Sequence, residues 1–165
     1  MNDLIKFVDE YKIFNYLVPG VVVTCLVGDG SFLRKVENLN IFIEFFVFYF
    51  VGLIISRMGS LLVENLLKRS KLVKFADYSD YIEASKKDEV IGKLSQENNT
   101  YRTYIAAFLV IGAFNVVDRT VGGSTINTRE SWLFLTGTLV LIVVMVLSYR
   151  KQTEYVVKRI KHTQR

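Results

Sequence analysis

The sequence predicts an all-α, polytopic membrane protein with four transmembrane helices, the second and third joined by a helical cytoplasmic segment. Three observations predict this. Hydrophobic residues fill 51% of the 165 positions, in four runs that approach the roughly 20 residues needed to cross a bilayer core. The stretch LVLIVVMVL at residues 139–147 is apolar all round, where a helix of a soluble bundle keeps a polar face. Lys and Arg are also distributed asymmetrically between the loops, as the positive-inside rule requires.

The first apolar run covers residues 13–27 and contains Pro19 and Gly20. Proline removes a backbone donor and crowds the preceding turn, so this pair is the candidate hinge. The second run, residues 41–56, carries Glu44 about one turn inside its outer end. The third covers residues 104–117 and the fourth 132–148. Val, Ile and Phe dominate these runs, but in lipid the backbone must satisfy its own hydrogen bonds, which favours helices. Leu4, Phe7, Val8 and Tyr11 recur at helical spacing before the first run. They predict an interfacial N-terminal helix, not a signal peptide. The organisation expected is residues 1–57 (interfacial helix and spans 1 and 2), 58–103 (cytoplasmic segment), 104–148 (spans 3 and 4) and 149–165 (basic tail).

Orientation follows from charge. Sixteen of the 21 Lys and Arg residues lie before the first run, between the second and third, or after the fourth; four lie in the other two loops, and Arg57 sits at a helix end. Both termini and the middle segment are therefore expected in the cytoplasm, with a bacterial inner membrane as host. The tail from Arg150 holds six basic residues against Glu154 alone, which accounts for the whole net charge of +5. Arg150, Lys151, Lys158, Arg159 and Lys161 are expected to meet anionic lipid or a partner. Direct nucleic-acid binding is the less favoured use of that charge.

One Cys and one His exclude a self-contained zinc site or a disulfide framework. Polar residues at depth are scattered, so neither an enzyme nor a cofactor is expected. Gly52, Ser56 and Ser60 form a small-residue stripe that lets another helix approach closely, in this chain or in a second copy. In the middle segment, Ser79 is expected to cap one helix, and Asn98-Asn99 to break or bend the chain before Tyr101. Arg57, Phe75, Tyr78, Tyr81 and Tyr101 are expected to form a packed cytoplasmic collar.

The strings FNYLVPG (Phe14 to Gly20), YFVGLIISRMGSLLVE (Tyr49 to Glu64), FADYSDYIEASKKD (Phe75 to Asp88) and NNTYRT (Asn98 to Thr103) resemble a group of small bacterial four-helix membrane proteins of anti-phage defence operons. The resemblance implies a homo-oligomer that disrupts or senses the membrane on infection. It carries over no functional residues.

The leading expectation is a homo-oligomeric inner-membrane channel or pore-type effector, gated through the cytoplasmic segment, with Glu44 as the ion-facing residue. One alternative is a non-conducting sensor or scaffold that recruits a soluble defence effector through the collar and tail. Another is a small cation or drug transporter. Expected partners are the lipid bilayer, further copies of the chain and a soluble cytoplasmic protein.

Overall fold

The computed structural model describes residues 10–27, 40–121 and 128–164. Among them the chain is all α-helical, with five helices. Helix α1 comprises Glu10–Lys12, a π-helical turn Ile13–Leu17 and Val18–Leu26. Helix α2 comprises Ile41–Met58, a second π turn Gly59–Val63 and Glu64–Arg69. Helices α3 (Tyr78–Lys87), α4 (Glu89–Val121) and α5 (Thr128–Thr163) follow.

Local signals set the ends. The Asn40 side chain accepts from the Phe42 amide at 3.0 Å and starts α2. Lys71, at φ 56°, enters the left-handed region just past the end of α2. Helix α3 starts after Asp77, not at Ser79. The Asp88 carboxylate accepts from the Val90 amide at 3.1 Å and opens α4.

Among the described residues, three helices are long and apolar enough to cross a membrane: α2, α4 and α5. Only 17%, 28% and 11% of their most apolar stretches are buried within the chain. Phe42, Phe46 and Phe50 of α2 and Leu139, Val140 and Val143 of α5 face outward. The first expected span, α1, is shorter: its 17 residues reach about 25 Å. The N-terminal interfacial helix lies mostly outside the described residues.

The chain is unbroken where a bend was expected at Asn98-Asn99. These residues sit inside the 33-residue α4, because Asn98 spends its side chain across the bundle: its Nδ2 donates to Thr153 Oγ1 of α5 at 2.9 Å. An asparagine occupied in this way no longer competes with the helix backbone. Helices α2, α4 and α5 thus run from apolar, outward-facing stretches into a more polar collar, α2 by way of its π turn.

Two kinds of packing hold the bundle. In the apolar half, α1 and α2 cross at contact distance. A Cβ on Gly20 would overlap the Phe48 carbonyl oxygen, and a Cβ on Gly52 would overlap that of Tyr16. Lipid tails are as apolar as side chains, so close van der Waals approach drives this contact. In the collar, water restores the hydrophobic drive. Ala84 of α3, Ile91 of α4 and Val156 and Ile160 of α5 form their own core, where a fully buried Ile contributes about 2–3 kcal/mol.

Candidate functional site at the collar

The site begins where both π turns meet α4. A π turn inserts one extra residue and re-aims the side chains around it. In α1 it turns Asn15 into the interior, 1% exposed. Asn15 Oδ1 lies 2.7 Å from Thr103 Oγ1, Asn15 Nδ2 lies 3.2 Å from Ser56 Oγ, and the two hydroxyls lie 3.2 Å apart. The Asn15 amide donates to Ser56 Oγ, while the one proton of the Thr103 hydroxyl has Asn15 Oδ1, Ser56 Oγ and, at 3.0 Å, the Asn99 carbonyl oxygen within reach. One polar knot therefore ties α1, α2 and α4. In α2 the π turn brings Gly59 against α4, where a Cβ would meet the Arg102 carbonyl oxygen at 3.1 Å.

One turn further on lies an ion group. Arg102 of α4 pairs through Nη1 with Glu64 Oε2 of α2, and Lys68 Nζ takes the other carboxylate oxygen at 2.7 Å. Lys68 also stands 4.6 Å over the Phe75 ring. The Tyr149 hydroxyl of α5 lies near both Glu64 and Arg102, its ring 6.4 Å from that of Phe75.

Above this group opens a cavity of about 350 Å³, bounded by α2, α3, α4 and α5. Its lining is polar at Glu64, Arg102, Asn98, Asn99 and Thr153, and aromatic or apolar at Phe75, Tyr78, Tyr81, Val156 and Ile160. Two buried polar atoms in this lining have no hydrogen-bond partner among the described residues, Asn98 Oδ1 and Arg102 Nε. A larger cavity, about 570 Å³, lies where Tyr11 and Phe14 of α1 meet α4, with Lys93, Glu97, Thr100, Tyr101 and Tyr104 in its wall. It contains neither unpartnered atom, so the smaller cavity is the candidate site.

The sequence-predicted residues divide accordingly. Phe75, Tyr78 and Tyr81 meet at the candidate cavity; Tyr101 lines the other one, and Arg57 is exposed. Gly52 and Ser56 of the small-residue stripe are spent inside the chain, against α1 and α4. Ser60 is half-buried, and Gly59 makes the close approach in its place. Pro19 is fully buried, and Gly20 serves close approach more than freedom. Glu44 is half-buried and lines none of the described cavities.

The tail is α5 itself. Its Thr153, Val156 and Ile160 face is buried in the collar. Arg159 bonds Asp88 at 2.6 Å, which holds the Asp88 carboxyl below the usual carboxylate range. Arg150 pairs with Glu154 at 3.3 Å, and Lys151 lies 5.8 Å from the Tyr155 ring centre. Lys158 and Lys161 are exposed.

Asn15, Glu64, Arg102 and Thr103 were not singled out from the sequence, and Asn98 was read only as part of a bend. The available signal was polar residues at helical spacing in or beside apolar runs, which are costly unless partnered. No protein family, no curated protein and no solved structure matches the chain.

Proposed function

We propose that this chain is a four-span bacterial inner-membrane sensor and transducer with both termini in the cytoplasm. Its collar receives a cytoplasmic signal and passes it to the membrane helices. The observation that carries this reading is the continuity of α2, α4 and α5 through collar and apolar stretch alike. The Glu64–Arg102 pair and the Asn15–Ser56–Thr103 knot lie in series along the same helices. A collar displacement therefore has a rigid path into the apolar half. The resemblance to defence-operon membrane proteins supplies the setting: infection as stimulus, and a soluble effector as the recipient of the signal.

The experiment is phage challenge of cells expressing the chain with its neighbouring genes. Reversing the exposed tail charges (Lys151→Glu, Lys158→Glu, Lys161→Glu) should abolish protection, while Glu44→Gln should leave it intact. The opposite pattern would favour the second reading, a homo-oligomeric pore. That reading is supported by Glu44 in the first turn of an apolar helix whose aromatic face is outward. Under it, bilayer conductance would depend on Glu44.

A further inference from the structure

We infer that the cavity between α5 and the connector 70–77, which joins α2 to α3, binds the phosphate headgroup of an anionic phospholipid. The inference rests on the reading of α5 as a membrane span whose collar end faces the cytoplasm, and it gives that reading a defined lipid site.

Charge comes first. Among the described residues the cavity is lined by Lys71, Leu72, Val73 and Lys74 of the connector and by Arg150 and Glu154 of α5. Three of these are bases and one is an acid. The acid is already taken, because Glu154 Oε1 accepts from Arg150 Nε at 3.3 Å. Lys71 and Lys74 are exposed, and neither ammonium has a partner among the described residues. Lys68 and Lys87, by contrast, each close on a carboxylate one turn back at 2.7 Å. Like charges gathered in one concavity focus the potential there and attract an anion.

Depth comes next. The fourth apolar run ends at Ser148, so Arg150 stands about 3 Å further along the helix axis, where the headgroup region borders the hydrocarbon core. Val73 is buried in the core that contains Tyr149, which anchors the connector, and the shared cavity brings its lysines to Arg150.

Shape favours a lipid over a free anion. Leu72, between the two lysines in sequence, is 44% exposed and belongs to the same lining. A water-soluble anion gains nothing from it, whereas a lipid brings apolar chain beside its phosphate. The volume, about 260 Å³, falls below the range of sites that enclose a whole small molecule. It suits a headgroup whose chains stay in the bilayer. Basic pockets between membrane helices hold anionic headgroups in this way.

The test is native mass spectrometry of the full chain in a nonionic detergent, titrated with phosphatidylglycerol and with phosphatidylcholine. Phosphatidylglycerol should bind at least tenfold tighter. Lys71→Gly with Lys74→Ser should remove that preference, while Lys86→Ser with Lys93→Ser, which deletes two exposed lysines outside the cavity, should keep it. Lys71 takes φ 56°, where glycine fits better than lysine, so Lys71→Gly alone should weaken binding several-fold with no fall in unfolding temperature. Equal binding of the two lipids, an unchanged preference in the Lys71 and Lys74 variant, or an equal loss in the Lys86 and Lys93 variant would overturn the assignment. Displacement of the lipid by inorganic phosphate, but not by chloride at equal ionic strength, would make this a free-phosphate site and overturn it too. If the lipid binds but the tail-charge reversals leave phage protection intact, the lipid site stands and the transducer reading fails. If no preference is seen yet those reversals abolish protection, the transducer reading stands and the lipid site falls.

Discussion

Thr103 of α4 and Asn15 of α1 meet through Oγ1 and Oδ1 at 2.7 Å, although 88 positions separate them. Both are essentially sealed from solvent, at 0% and 1% exposure. The contact fixes the depth at which the short first helix docks on α4. Thr103→Val keeps the shape and removes the proton. It should destabilise the folded state by about 1–2 kcal/mol, because the Asn15 oxygen is left buried and unmade. Denaturant titration in detergent micelles checks this; a change within 0.3 kcal/mol would show that the knot does not hold α1.

The α1–α2 crossing should tolerate no side chain. Gly20→Ala or Gly52→Ala drives a methyl into a carbonyl oxygen and should cost about 1–3 kcal/mol, as overpacking does. Gly92→Ala meets open space and should instead gain up to about 1 kcal/mol from helix propensity. The same titrations separate the two signs.

Breaking the collar pair from one side should be worse than removing it. Arg102→Met leaves Glu64, 20% exposed, facing the Tyr149 hydroxyl with only Lys68 to balance it. The expected loss is about 3 kcal/mol, with much of it recovered in Arg102→Met combined with Glu64→Leu. A double-mutant cycle measures the coupling.

How much of this was legible follows from the kind of force involved. Apolar length announces spans directly, and α2, α4 and α5 answer to it. Thr153, Val156 and Ile160 fall at helical spacing, but the partners of that face, Ala84 and Ile91, come from a chain reversal that periodicity does not encode. Asn98-Asn99 misled because a turn-forming dipeptide and a cross-bundle hydrogen bond look the same in one dimension. The role of Gly52 depends on which carbonyl passes over it, and only the crossing with Tyr16 decides that.

The Asp88–Arg159 contact at the start of α4 should be sensitive to acid. Arg159 holds the Asp88 carboxyl below its ordinary value of 3.8. The contact is therefore fully present above that value and is lost as pH falls through the lowered one. Hydrogen exchange at Val90 and Ile91 should accelerate, after correction for intrinsic rates, only below about pH 4. In Asp88→Asn that step should vanish.

Signal transfer requires mechanical continuity between the collar and the apolar helices. The most direct test is the distance between spin labels at Phe50 of α2 and Leu141 of α5, both outward-facing, in nanodiscs. The pair is measured in the otherwise unchanged chain and with Arg102→Met added in the collar. The account predicts that severing the pair shifts or broadens the distribution between these remote labels. An identical distribution in both proteins, with the collar visibly altered by hydrogen exchange, would contradict it.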